Sequence, residues 1–307
     1  QSTLTNPLTQ IFSGTPPDNV LIIVTARYEK ALPVELIELL AREPDRRLSI
    51  NKFDESQVAE FMRRRGVHLD DESLARVFTV SAGLPIYLQY LAGALLRMTV
   101  PQRNAHLRSA PALKGADIDR FHRHLWQEWE GDTDVVYLLA ILALREEFTS
   151  SELLLRLIRS LGCQITLATL TRKIDAIQFV LKVSEARGLA ISHASFAEFI
   201  LEQTRALRSE ITQAILAWYE AEPASDEAWR HRFRHLLDAG EYRALVHACD
   251  EEWVNRAWES FRPLAEVQRN LDHAWVASIR AKDLLAFIRI AFLKQQAALI
   301  DRNVEMT

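Results

Sequence analysis

Three short segments hold the residues best placed to do chemistry on a ligand. Arg27 closes a Thr-x-Arg that follows the apolar, β-branched run Asn19-Val-Leu-Ile-Ile-Val-Thr25. Such a run reads as a strand buried on both faces of a parallel sheet. The end of that kind of strand points into the ligand crevice. A permanently charged guanidinium there suits a γ-phosphate; a solvent-facing Arg beside a loop accounts for the same residues. The second segment is Gly83-Leu84-Pro85. Pro fits the first turn of a helix, where its missing N–H costs nothing, and Gly lets the chain enter tightly. That packing account explains the tripeptide by itself. The third is His193, between the β-prone Gly188-Leu-Ala-Ile-Ser192 and Ala194-Ser-Phe-Ala-Glu-Phe199. One imidazole nitrogen at a helix start can meet a phosphate oxygen while a neighbour fixes the other. A satisfied core or surface His is the plain alternative.

The surrounding pattern supplies elements to carry them. Residues 34–41 read as a helix, and Asp54 as the N-cap of another with Val58, Phe61 and Met62 on one face. Leu74, Val77 and Phe78 mark the next helix; Leu84, Leu88, Leu91 and Leu95 mark the one opened by Pro85. Residues 99–117, with Pro101, Pro111 and Gly115, read as irregular and as a domain boundary. Helices are expected over 117–130 and 133–145. Thr149-Ser-Ser-Glu152 is a capping signal for a helix with Leu153, Leu154, Leu157 and Ile158. Another helix carries Leu167, Leu170, Ile174 and Ile177. Phe179–Val183 and Gly188–Ser192 flank a turn at Glu185–Gly188, so helices followed by a hairpin give a winged-helix pattern. Beyond about residue 204 every signal is helical, and Ala239-Gly-Glu-Tyr242 resembles an inter-helix turn of a TPR-like array.

In that order and spacing, Leu21-Ile-Ile-Val-Thr-Ala-Arg27, Ser81-Ala-Gly-Leu-Pro-Ile-Tyr-Leu88 and Leu189-Ala-Ile-Ser-His-Ala-Ser-Phe-Ala-Glu-Phe-Ile-Leu201 resemble the distal half of a NACHT/NB-ARC-type signalling ATPase, of the STAND class of P-loop NTPases. The resemblance spans roughly residues 19–203. It implies a mainly α chain: the end of an α/β P-loop ATPase core (1–50), a helical lid (51–116), a winged helix (117–203) and a helical sensor or bracing array (204–307). It implies that Arg27 acts as sensor Arg, that Pro85 packs on the adenine ring with Gly83 and Leu84 beside it in the nucleotide-binding segment, and that His193 contacts the β-phosphate of ADP and latches a closed state. ADP or ATP with Mg is the implied cofactor of the complete protein. The implied partners are upstream P-loop and effector regions, a protein trigger on the C-terminal helices, and further copies on activation. The setting implied is cytoplasmic immune or antiphage defence, and the Arg- and Ala-rich composition tilts toward bacteria.

Other features narrow the function classes. The formal net charge is −4, with 37 basic and 41 acidic residues, so bulk charge gives no reason for nucleic-acid or membrane attraction. No apolar run is long enough to span a bilayer, and the start lacks a signal-peptide pattern. Without an initiator Met the chain reads as part of something longer. Cys163 and Cys249 fit a reducing compartment rather than a disulfide framework. His231 and His235 lie one helical turn apart among Arg residues, which disfavours a metal. Arg172 and Lys173 are the cationic pair of the expected third winged-helix helix, too few for DNA reading. Trp218, Trp229, Trp253, Trp258 and Trp275 read chiefly as helix–helix packing. None of the nine Gly residues opens a Gly-x-x-x-x-Gly-Lys-[Ser/Thr] loop, so no metal ligand or catalytic residue is expected within this chain. Two other classes stay open: an ATP-dependent transcription regulator, and a helical scaffold whose nucleotide site has decayed.

Overall fold

Caps and apolar stripes decide where the helices of this chain begin and which faces they bury. The computed structural model describes residues 32–43, 45, 51–110 and 118–304. The polar lead-in over 1–18, the strand expected over 19–25 and Arg27 at its end lie outside the described residues, as do residues 111–117. Chain contacts divide the protein into residues 1–53 and 54–307. In the first unit the described helix is α1 (Val34–Arg42), which opens behind Pro33.

The second unit is mainly helical. Helix α2 (Glu55–Arg64) starts at a reciprocal cap: the Asp54 carboxylate accepts from the Gln57 amide, and the Gln57 side chain accepts from the Asp54 amide. Asp70 caps α3 (Asp71–Ser81) in the same sense, through Ser73. Helix α4 (Pro85–Leu95) buries Tyr87, Leu88, Tyr90, Leu91 and Leu95. The irregular stretch expected from residue 99 is instead opened by a helix, α5 (Val100–Ser109). The reason is local. Thr99 and Gln102 form a capping box, and Pro101 sits in the first turn, where it favours a helix rather than breaking one.

Helices α6 (Ile118–Trp129) and α7 (Thr133–Arg145) follow. The apolar run of α7 is buried from Tyr137 to Ala143, and α8 (Ser151–Ser160), a two-stranded hairpin and two later helices all pack on it. The capping signal at 149–152 works one residue later than its pattern suggests. Ser150, not Thr149, accepts from the Leu153 amide. Thr149 is drawn into a β-bridge with Leu189. Helix α9 (Leu167–Ile177) and a 3-10 turn (Gln178–Val180) lead into β1 (Leu181–Ser184) and β2 (Gly188–Ile191). The strands pair antiparallel with Leu181 opposite Ile191 and Ser184 opposite Gly188; among the described residues this is the one sheet. Gly188 has φ +98°, and a Cβ there would strike the Thr149 carbonyl, so only Gly closes this corner without strain.

The remainder is helical: α10 (Ala194–Gln203), a 3-10 turn (Arg205–Leu207), α11 (Arg208–Ala221), α12 (Asp226–Asp238), α13 (Tyr242–Ala248), α14 (Glu251–Glu259), α15 (Leu264–Ala281) and α16 (Leu284–Val304). The turn expected at Ala239–Tyr242 separates α12 from α13. Helix α15 packs on α12, α13 and α16, giving a stacked C-terminal array. None of its five Trp side chains is exposed: Trp253 is buried and the others are half-buried. The exposed aromatics of the array are Phe261 and Phe292. No helix among the described residues is long and apolar enough to cross a membrane.

Candidate functional site

The Gly-Leu-Pro segment forms the entry to α4. Ala82 and Gly83 both take positive φ, 50° and 69°, which turns the chain sharply out of α3. The Gly83 amide donates to Ser81 Oγ at 3.2 Å, and the Leu84 amide donates to the Ser81 carbonyl at 3.0 Å. Leu84 then stands at the N-cap with extended backbone and Pro85 opens the first turn. No side chain caps this helix start. Leu84 and Pro85 are half-buried, so an apolar edge and the first amides of α4 lie together.

His193 is the N-cap of α10. Its Nδ1 accepts from the Ser195 amide at 3.2 Å and lies 2.8 Å from Ser195 Oγ. Accepting an amide at Nδ1 leaves the proton of a neutral ring on Nε2, so that edge of the ring is a donor. The side chain is exposed and its Nδ1 edge is engaged with Ser195.

A contact spanning 102 residues of sequence joins the middle of α4 to the residue before the α10 cap. Ser192 Oγ, beside His193, donates to the Tyr90 hydroxyl at 3.4 Å, and Tyr90 lies on α4 five residues beyond Pro85. The Tyr90 ring sits 6.2 Å from Phe196 on α10 and stacks on Phe121 of α6 at 5.6 Å. Gly83, Leu84, Pro85 and His193 therefore belong to helices that share one aromatic junction.

His122 of α6 fills that junction. It is fully buried, with Phe196 at 5.1 Å and Phe199 at 5.6 Å between ring centres, and neither ring nitrogen has a hydrogen-bond partner. Burial pushes its pKa down to about 4; Asp119 works against that shift and His193 adds to it. Sequence reading passed over His122 because its neighbours Arg120, His124 and Asp119 make it look like part of a polar face.

A second polar cluster lies where α7, α11 and α12 meet. Arg145 is 2% exposed; it donates to Thr149 Oγ1 at 2.9 Å and to the Tyr219 hydroxyl at 3.0 Å, and it pairs with Glu227. The Tyr219 hydroxyl also lies 2.8 Å from His235 Nδ1. His231 Nε2 is 2.8 Å from Glu147, and Arg234 bridges to Glu146 at 2.7 Å. Burial lowers the His235 pKa to about 3, with Arg145 and Arg234 adding to it. Burial works to raise Glu147, but His231, Arg234 and Arg145 outweigh it and hold its pKa below the ordinary value. The two His residues that looked like a failed metal pair are thus spent on carboxylate and phenol partners. No group of side chains suited to hold a metal occurs among the described residues. One signal for this cluster was legible: Arg145 ends an otherwise apolar helix, where a lone cation needs buried partners.

Arg172 and Lys173, the cationic pair too small to read DNA, are engaged within the protein. Lys173 pairs with Asp132 at 2.5 Å and Asp134 at 3.4 Å, and Arg172 donates to Thr169. No protein-family model matches the chain, and neither does any curated protein or solved structure.

Proposed function

We propose that this chain is the distal part of a nucleotide-switched signalling ATPase of the STAND type, in which ADP holds a closed state and exchange releases it. In this reading α2–α5 act as the lid and α6–α10 with the hairpin act as a winged helix. The phosphate loop and magnesium ligand lie outside these 307 residues, and the C-terminal array receives the trigger. Arg27, the expected sensor, would meet the γ-phosphate. The observation that carries the proposal is the Ser192–Tyr90 contact, which ties the helix opened by Gly83-Leu84-Pro85 to the helix capped by His193. A nucleotide held by both helix starts would draw lid and winged helix together. His193, with Nδ1 fixed by Ser195, would supply one donor to an anionic phosphate.

A helical scaffold is the second reading, and one observation favours it: the Ser195 bonds of His193 are a sufficient reason for a polar residue at an N-cap. Two variants separate them. His193→Asn keeps a capping side chain but loses the ring; His193→Ala loses both. Labelled-ADP dissociation is measured on protein carrying the upstream phosphate loop. A latch predicts that both variants speed release about ten- to hundredfold, the loss of one hydrogen bond to a charged group. Release unchanged in both, with stability lowered only in His193→Ala, overturns the latch and leaves the scaffold.

A further inference from the structure

Helix α16 is apolar on two separate sides. One side, Ala286, Ile290, Leu293 and Ala297, is buried against the array. Phe287 and Lys294 lie between that side and α15, with Phe287 packed on Trp275 at 4.1 Å and Lys294 paired with Asp272. A second side carries Leu285, Ile288 and Phe292, which are 81%, 43% and 63% exposed. Their spacing of three and four places them within about 60° of one another around the helix, about 140° from the middle of the buried stripe. A helix with apolar stripes on two sides is normally covered on both. Three large side chains so exposed on one stripe mark a contact surface rather than scattered surface residues.

The charges around this stripe select its partner. Between residues 273 and 298 the charged residues are Arg280, Lys282, Asp283, Arg289 and Lys294, in a chain whose net charge is −4. The lone anion is occupied, because Asp283 caps the Ala286 amide at 3.0 Å. Lys294 is paired with Asp272. Arg280 and Lys282 are exposed and pair with nothing among the described residues, and Arg289 holds only the Val246 carbonyl. Along the chain, Lys282 thus stands three residues before Leu285 and Arg289 one after Ile288, so exposed cations neighbour the stripe in sequence. Its helical spacing fits a second helix laid alongside, ridge against groove.

We propose that the outer face of α16 is a docking site for an acidic amphipathic helix of a partner protein, seated on Leu285, Ile288 and Phe292 with its carboxylates toward Arg280, Lys282 and Arg289. This names the partner of the recognition surface in the switch reading and rests on that reading only for its biological role. Nucleotide release tests the switch and helix binding tests this face, so either can fail alone.

The test pans a displayed library of 18-residue helical peptides, randomised along one stripe and its flanks, against the whole chain. The expected binders carry apolar residues three and four apart with acidic flanks. Their Kd should weaken at least tenfold in Phe292→Asp and in Leu285→Asp, and severalfold in Arg280→Glu/Lys282→Glu. All of these side chains are exposed, and circular dichroism of each variant confirms that it folds. The proposal is overturned if the binders have basic or neutral flanks, if they keep their affinity for Phe292→Asp, or if the wild type enriches nothing beyond that variant. It is equally overturned if Phe292→Asp instead abolishes self-association in sedimentation, or flotation with phosphatidylglycerol vesicles.

Discussion

Acid should destabilise this protein through His122 in particular. The ring is fully buried among Phe121, Phe196, Phe199 and Tyr90, and neither nitrogen is hydrogen-bonded. Its folded pKa of about 4 lies below the ordinary imidazole value of 6.5, so between these pH values the unfolded chain binds a proton that the folded chain refuses. Stability is therefore intact above pH 6.5 and falls as pH drops toward 4, with no further loss from this group below that. A shift of about 2.5 units at 1.36 kcal/mol each is worth about 3 kcal/mol. Asp119 and His193 are the ionisable neighbours that act on the shift beyond burial, Asp119 raising the pKa and His193 lowering it. The assay is urea unfolding followed by circular dichroism between pH 7.5 and 4.5, comparing wild type with His122→Phe and His122→Leu. Other groups titrate in this window, so the readout is the difference between wild type and variant. Both variants should flatten the pH profile by up to about 3 kcal/mol. At neutral pH removal of two unpartnered buried nitrogens should offset part of any packing loss. Profiles that stay parallel across the whole range would refute the burial argument for His122.

Three further outcomes follow from other sites. Arg145→Met should cost about 3–5 kcal/mol, since Thr149, Tyr219 and Glu227 all lose their buried donor; the urea midpoint at pH 7 measures it. Gly188→Ala should cost about 1–3 kcal/mol, because φ +98° is strained for Ala and its Cβ meets the Thr149 carbonyl. Faster hydrogen exchange at the Thr149 and Leu189 amides should accompany the lower melting temperature. The 307-residue chain should turn over no ATP above a buffer blank, because it carries no phosphate-gripping loop; turnover lost in Arg27→Ala would sink both that argument and the sensor role.

What the sequence made legible is local. Asp54 announces its helix because an acid followed three residues later by Gln can close a capping box, and the hairpin announces itself by β-prone runs around Glu185–Gly188. Helix α5 was hidden because Pro101 was read as a breaker, and a short helix with Leu107 as its buried side chain has little apolar period to detect. The junctions were hidden for another reason. Tyr90 meets Ser192 across 102 residues, and Arg145 meets Tyr219 and Glu227 across 74 and 82. No spacing rule reaches that far, since such pairings are set by how α7 packs against α10 and α11. His122 looked polar because a single chain position says nothing of the aromatic rings that α4 and α10 bring to it.

The two polar clusters are also not independent of each other. Arg145 holds the C-terminal helices through Tyr219 and Glu227, and it holds the 146–149 loop through Thr149. Thr149 exchanges backbone hydrogen bonds with Leu189 at 2.7 and 2.9 Å. Leu189 lies on β2, three residues before Ser192, whose hydroxyl reaches Tyr90. Each link is a buried or half-buried hydrogen bond whose loss leaves a partner unsatisfied, so the links resist breaking one at a time. A load applied to α12 therefore meets the hairpin before it meets solvent. In the switch proposed above, β2 and the start of α10 are the pieces whose movement would shift His193, and they are the same pieces that Arg145 ties to the array. A change in the array that withdrew Glu227 would leave Arg145 a buried cation held only by Thr149 and Tyr219 hydroxyls, a state costly enough to favour rearrangement of the loop and of the hairpin bridged to it.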